Sequence, residues 1–191
     1  NYRCQRSERV IGRTLARLIA TGAMQRDEVL LCSKGGYVPF DGDIPPDPTQ
    51  YVRKTFMESG LISPDELVAG CHCLSPRYLE HQLDTSLKNL GIATLDVYYL
   101  HNPEQQLEAI SNAIFHSRIE AVFRLLERMV QEGRIRLYGT ATWNGLRANP
   151  QSATHLSLAE LVAIAERVAG PAHHFRAIQL PYNLAMPEAF A

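Results

Sequence analysis

Four short apolar segments each lead into polar residues that could take part in chemistry. The pairs are residues 29–32 with Lys34, 95–100 with His101, 135–139 with Thr140 and Thr142, and 175–178 with Gln179. Parallel α/β folds build their active sites at the carboxyl ends of the strands, so we expect these side chains to line one pocket. A cation, an imidazole and an amide that meet there favour chemistry on a polar small molecule.

Each of these residues also has a purely structural interpretation. Lys34 could be an exposed lysine at the end of a strand, His101 a hydrogen-bonded core histidine, and Gln179 an internally satisfied glutamine. The residues just after His101 read as solvated helix or loop positions: Glu104, Gln105 and Gln106.

Helical patterns separate the apolar segments. The first predicted helix has Ser7 as its N-cap and carries its apolar face at Ile11, Leu15, Leu18 and Ile19. Later helix starts are predicted at Ser75-Pro76 and at the capping box formed by Ser157 and Glu160. The order is helix, strand, an irregular segment 35–73, and then helix and strand three times, which predicts a parallel sheet with right-handed crossovers.

Two α/β folds fit this order, a doubly wound sheet and part of a (β/α)8 TIM barrel. Gly35-Gly36 does not complete the G-x-G-x-x-G pattern of a dinucleotide-binding fold, which favours the barrel. A whole barrel needs roughly 250 residues, so about four strand–helix units predict an incomplete one. We therefore expect a single domain over 1–191, with the irregular segment 35–73 at the barrel mouth. We also expect a fragment of a longer protein, inactive by itself, with a helix starting at 187–190.

Composition narrows the class of partner. The chain is 46% hydrophobic and 20% charged, with a formal net charge of −1, and lacks the clustered basic excess that nucleic acids or acidic membrane surfaces attract. No apolar run approaches the roughly 20 residues of a membrane span. The four cysteines form no framework typical of small secreted domains, so we expect a cytoplasmic protein. The oligomeric state stays open.

Cys71-His72-Cys73 raises the alternative of a metal site. Structural zinc sites usually space paired ligands by two to four residues and need a second pair elsewhere. His173-His174 is a poor second pair, so we predict no metal. A metal-dependent barrel hydrolase remains the weaker alternative.

Several ordered motifs resemble the aldo-keto reductase family across essentially the whole chain. The most specific are the serine–leucine helix end at 86–91 and the aspartate-led strand at 95–101 that ends in His101. The other matches are Tyr2 ahead of Arg6-Ser7-Glu8, Cys32-Ser33-Lys34, the glycine-bounded strand 133–139, and Gln179.

This resemblance implies a (β/α)8 barrel that reduces a small-molecule aldehyde or ketone to an alcohol with NADP(H). It implies Tyr2 as the general acid, Lys34 as the cation that favours loss of its proton, and His101 as the group that orients the substrate. Gln179 and Thr142 would bind the nicotinamide, although Ala141-Thr142 replaces the family's serine–asparagine pair. The part that binds the cofactor phosphate would lie beyond the chain. The alternative is a non-catalytic nucleotide-binding redox sensor or docking module on the same fold.

Overall fold

A computed structural model describes residues 2–188 and shows one four-stranded parallel sheet and one short hairpin. The strands are β1 (Cys32–Gly35), β2 (Leu67–Val68), β3 (His72–Cys73), β4 (Leu95–His101), β5 (Ile135–Ala141) and β6 (Phe175–Gln179). The α-helices are α1 (Arg6–Ala20), α2 (Pro48–Val52), α3 (Pro76–Leu90), α4 (Asn112–Gln131) and α5 (Leu158–Ala169).

The winding of the large sheet distinguishes between the two predicted folds. Its order is β1-β4-β5-β6 with every pair parallel, so each crossover adds the next strand on the same side. A doubly wound sheet would reverse its order at a switch point, and no reversal occurs over the described residues. The sheet does not close, which is consistent with an incomplete (β/α)8 barrel.

The buried face of the sheet packs against the helices. Tyr98, Leu100 and Tyr138 are at most 1% exposed, and Tyr138 contacts Phe123 of α4 with a ring centroid distance of 5.1 Å. The alternate residues of β4, including Tyr99 and His101, face the other way and are only partly buried. This alternation fixes which side chains can reach a pocket on the open face.

Local signals set the helix ends as predicted for α3 and α5. Ser75 is the N-cap residue of α3 with Pro76 in its first turn, and Gly91 ends it in a left-handed conformation with φ of 67°. The Ser157 hydroxyl accepts a hydrogen bond from the Glu160 amide at 3.2 Å at the start of α5.

The prediction for α1 was wrong at its start and along its face. Gln5, not Ser7, is the N-cap residue, and Ile11 and Ile19 are 46% and 41% exposed. The buried residues of α1 include Gly12, where a Cβ atom would lie 2.5 Å from the carbonyl oxygen of Asn89. The backbone of α3 therefore approaches α1 so closely that a glycine, rather than the largest apolar residues, forms the contact.

Strand β1 begins later than predicted, so Lys34 lies inside it and pairs with Tyr99. The residues just before β1 bond partly to side chains: the Leu31 amide donates to Asp96 Oδ2 at 2.8 Å, while the Leu31 carbonyl already accepts from the Asp96 amide of β4 at 3.0 Å. Arg26 donates to the Val29 carbonyl at 2.8 Å, and Leu30 is 75% exposed. These side-chain tethers delay the start of regular pairing.

The irregular segment 35–73 has its own small core. It contains α2, a π-helical turn (Arg53–Met57) and the antiparallel β2–β3 hairpin. Its apolar residues pack on α3 through one cluster: Val52, Phe56, Ile62, Cys73 and Tyr78. The segment is thus an ordered unit attached to the helix layer.

Three further observations concern the chain as a whole. All four cysteines are unpaired. Over residues 2–188, no helix combines the length and apolar character that a membrane crossing requires. The helix start predicted at 187–190 falls partly outside the described residues.

Candidate active site

A pocket of about 260 Å³ brings all five predicted site residues together. Its lining includes Tyr2, Lys34, His101, Thr142 and Gln179. The strand register explains part of this, because His101 pairs with Ala141 and Ala141 pairs with Gln179 across β4, β5 and β6. Thr140 is instead buried away from the pocket.

The Tyr2 hydroxyl lies between two nitrogen atoms. Lys34 Nζ donates to it at 3.3 Å, and His101 Nε2 lies 3.4 Å from it. Lys34 Nζ is also 5.6 Å from the centroid of the Tyr2 ring, within the range of a cation–π contact. The tyrosine oxygen therefore sits in a positive environment with an imidazole beside it.

A left-handed turn delivers Tyr2 to this position. Arg3, Cys4 and Gln5 all have positive φ, from 52° to 66°, which costs each residue about 1–3 kcal/mol. Segment 35–73 holds the turn in place: the Gly42 amide donates to the Cys4 carbonyl at 3.0 Å. On the next helical residue, Arg6 Nε donates to the Gly42 carbonyl at 2.6 Å.

His101 is held in its neutral form. Burial, the positive charge of Lys34 and the nearby His72 together lower the pKa of His101 to about 4. Its Nδ1 atom is buried with no partner among the described residues. A buried N–H without an acceptor is rarer than an unpaired lone pair, so we place the single proton on Nε2, facing Tyr2.

Tyr37 supports His101 from segment 35–73. Its ring meets the rings of His101 and His72 edge-on, with centroid distances of 4.9 and 4.8 Å. Gln82 of α3 fixes the backbone there, because its amide donates to the Tyr37 carbonyl at 2.7 Å and its oxygen accepts from Gly36 at 2.7 Å. Sequence reasoning missed Tyr37, although its position three residues after Lys34 is a usable signal.

Comparison with known families gives one match. A family model described as the aldo/keto reductase family matches residues 1–164 of the 191. The chain belongs to the aldo/keto reductase family. None of the curated proteins matches the chain.

Membership in the aldo/keto reductase family implies a (β/α)8 barrel and an oxidoreductase. In general such enzymes reduce small carbonyl compounds with NAD(P)H. The matched region contains Tyr2, Lys34, His101 and Thr142, whereas Gln179 lies after it.

In this aldo/keto reductase the Thr142 hydroxyl is engaged inside the protein. It donates to Glu104 Oε1 at 2.5 Å and accepts from the Gly145 amide at 2.7 Å. The same carboxylate oxygen accepts three backbone amides, from Trp143, Asn144 and Gly145, at 3.1–3.3 Å. Glu104 therefore shapes the pocket wall after β5.

The expectation that Glu104 and Gln106 are solvated was wrong. Glu104 is only 8% exposed and Gln106 is fully buried. Both lie in a 3₁₀ turn (Pro103–Glu108) that carries their side chains inward. Their partners, Thr142 and His72, are 34 or more residues away in the sequence, so local pattern gave no sign of them.

His72 is hydrogen-bonded at both ring nitrogens rather than free to bind a metal. Its Nε2 atom lies 2.8 Å from the His101 carbonyl, and its Nδ1 atom lies 2.8 Å from Gln106 Nε2. Within residues 2–188, no three His, Cys, Asp or Glu side chains are grouped so that they could hold a metal ion.

Replacing Glu104 by alanine should unfold the wall after β5. The Glu104→Ala change leaves three backbone amides and the Thr142 hydroxyl without their shared acceptor, so we expect the free energy of unfolding to fall by about 3 kcal/mol or more. Chemical denaturation of the full-length protein measures this. Glu108→Ala, an exposed glutamate of the same turn, should change stability by less than about 0.5 kcal/mol. Similar losses in both variants would contradict the role of Glu104.

The charge of Lys34 should be visible in the titration of His101. NMR of the imidazole should give a midpoint near pH 4. The variant Lys34→Met should raise that midpoint toward the ordinary value of 6.5, because a positive neighbour that disfavours imidazolium is gone. Lys88→Met, an exposed lysine on α3, is the matched control. An unchanged midpoint in Lys34→Met would show that the two groups do not interact.

Proposed function

We propose that this chain is the carbonyl-reducing part of an NADP(H)-dependent aldo/keto reductase that converts an aldehyde or ketone to an alcohol, with Tyr2 as the general acid. One observation carries the proposal: the Tyr2 hydroxyl, at a pocket wall, lies 3.3 Å from Lys34 Nζ and 3.4 Å from His101 Nε2. A proton donor next to a cation and a neutral imidazole suits a reaction in which an oxygen gains negative charge.

The pocket residues fit the nicotinamide end of the cofactor. The Gln179 side chain makes no hydrogen bond to any described residue, and its amide offers both the donor and the acceptor that a carboxamide needs. Ala141 pairs with Gln179 in the same row of the sheet, and its small side chain leaves room in the pocket next to Gln179. At about 260 Å³ the pocket is below the roughly 300–1,000 Å³ of sites for whole drug-sized ligands, so it suits one end of a dinucleotide.

The cofactor supplies a hydride to the carbonyl carbon when it is bound. Gln179 would hold its carboxamide. Thr142 contributes to the wall of the pocket, because Glu104 already engages its hydroxyl. The choice of NADP(H) over NAD(H) rests on the family resemblance alone.

The chain's own residues handle the proton. As the carbonyl oxygen gains negative charge, Tyr2 gives it the hydroxyl proton and becomes a phenolate. Lys34 stabilises that phenolate, since a positive charge nearby favours the ionised form of an acid. Tyr2 is 54% exposed, so water can return the proton after the alcohol leaves.

His101 assists as a hydrogen-bond donor rather than as an acid. Its pKa of about 4 keeps the ring neutral at physiological pH, and Nε2–H faces the Tyr2 hydroxyl. A carbonyl oxygen that enters next to that hydroxyl would accept from both groups. An imidazolium would instead be repelled by Lys34, which is one of the causes of the low pKa.

Replacing Tyr2 by phenylalanine should remove the proton donor and leave the pocket shape. For the full-length protein, Tyr2→Phe should lower kcat for an activated aromatic aldehyde by about 10²–10⁴-fold, with the Kd for NADPH unchanged. Absorbance of NADPH follows the reaction and its fluorescence follows binding. Tyr51→Phe, outside this pocket, should retain kcat.

The kinetic and binding measurements distinguish carbonyl reduction from non-catalytic nucleotide binding. Wild-type turnover that survives in Tyr2→Phe would contradict the role of Tyr2. Tight NADPH binding by the wild type without turnover of any carbonyl in a broad screen would favour the alternative, a non-catalytic nucleotide-binding redox sensor or docking module.

A further inference from the structure

His72 contacts the backbone of His101, not its side chain. His72 is fully buried on β3, and its Nε2 atom lies 2.8 Å from the His101 carbonyl oxygen. A carbonyl oxygen only accepts, so the proton of His72 must be on Nε2. Its Nδ1 atom is then an acceptor, and it receives the Gln106 amide at 2.8 Å.

The hydrogen-bond chain continues to a permanent cation. Arg118 of α4 donates to Gln106 Oε1 at 2.5 Å and to the Asp65 carbonyl at 2.8 Å. Arginine has no acceptor, so it fixes which end of the Gln106 amide faces His72. Every donor then points the same way, from Arg118 through Gln106 and His72 to His101, and such chains strengthen one another.

Gly36 makes the approach possible. A Cβ atom at Gly36 would lie 2.9 Å from His72 Nε2 and 3.1 Å from the His101 carbonyl oxygen, and its φ of 140° disfavours other residues. The backbone of segment 35–73 therefore leaves space at the point where His72 reaches His101.

The peptide that His72 holds precedes an uncommon backbone conformation. Asn102, directly after His101, has φ of 46°, in the left-handed region that asparagine enters more readily than most other non-glycine residues. Its amide donates to the Ala141 carbonyl at 2.6 Å. The His101–Asn102 peptide is thus hydrogen-bonded at its carbonyl to His72 and at its amide to β5. These two bonds set the direction in which the His101 side chain projects from β4.

We propose that His72 is a positioning residue that orients the His101 imidazole through the His101 carbonyl, an inference that rests on the proposed carbonyl reduction. It couples segment 35–73 to the reacting groups, and Arg118 and Gln106 keep it in the required tautomer. A substitution that breaks the hydrogen bond from His72 to the His101 carbonyl should affect kcat more than ligand binding.

Two isosteric variants test the claim. Glutamine places an amide N–H near the position of Nε2, so His72→Gln keeps the bond to the His101 carbonyl and loses the one from Gln106. Asparagine places its amide near Nδ1, so His72→Asn keeps the bond from Gln106 and loses the one to the His101 carbonyl. In the full-length protein we expect kcat of His72→Asn to fall about tenfold or more, with KM and the Kd for NADPH within about threefold. His72→Gln should keep kcat within about threefold, although both variants lose one hydrogen bond and should melt at similar temperatures.

Equal loss of kcat in both variants, in step with their melting temperatures, would overturn the proposal. If His72→Asn does not fold, His72→Met replaces it: it removes the donor to the His101 carbonyl and should lower kcat in the same direction, and an unchanged kcat would contradict the claim. The outcome does not depend on finding a substrate. If the wild type reduces no carbonyl, the proposed function fails. The positioning role of His72 is then tested by the imidazole NMR signals of His101, which His72→Asn should shift and His72→Gln should not. Signals unchanged in both would overturn it.

Discussion

The register of the parallel sheet is the constraint on which the site depends. Pairing of β4, β5 and β6 puts His101, Ala141 and Gln179 in one row, and β1 places Lys34 beside Tyr99. A slip of one residue in β4 would turn His101 toward the helices and Tyr98 toward the pocket. Burying a large side chain such as that of Tyr98 contributes about 1.5–3 kcal/mol, more than the net 0.5–1.5 kcal/mol of one ladder hydrogen bond. The apolar face therefore selects the register, and the alignment of the polar residues follows from it.

Segment 35–73 contacts two members of the site through different residues. Gly42 holds the left-handed turn that follows Tyr2, and His72 and Tyr37 hold the end of β4 next to His101. Both contacts involve backbone atoms in uncommon conformations, which persist only where surrounding structure determines them. The small core around Phe56 supplies that rigidity. A segment that looks irregular in the sequence thus helps to set the distances from Tyr2 to its neighbours.

The sequence was sufficient to predict the structure where signals between neighbouring residues determine it. Ser75, Pro76 and Gly91 fix the ends of α3 through local capping and turn geometry, and the winding of strands and helices was predictable from their alternation. Glu104 was misread and the role of His72 was missed because the partners named above lie 29 to 41 residues away. A buried polar residue is explained by what satisfies it, and that information is absent from its neighbours in the chain. The convergence of the five site residues on one pocket was predictable, but the atoms that hold them there were not.

The proposed reaction requires a carbonyl oxygen to bind next to both Tyr2 and His101 at the end of β4. The most direct test is a crystal structure of the full-length protein with oxidised NADP and an unreactive amide analogue of an aromatic aldehyde. We predict that the amide oxygen lies about 2.6–3.2 Å from both the Tyr2 hydroxyl and His101 Nε2, with Gln179 on the nicotinamide carboxamide. An analogue bound in this pocket with its oxygen turned away from Tyr2, or a cofactor bound elsewhere, would contradict the account.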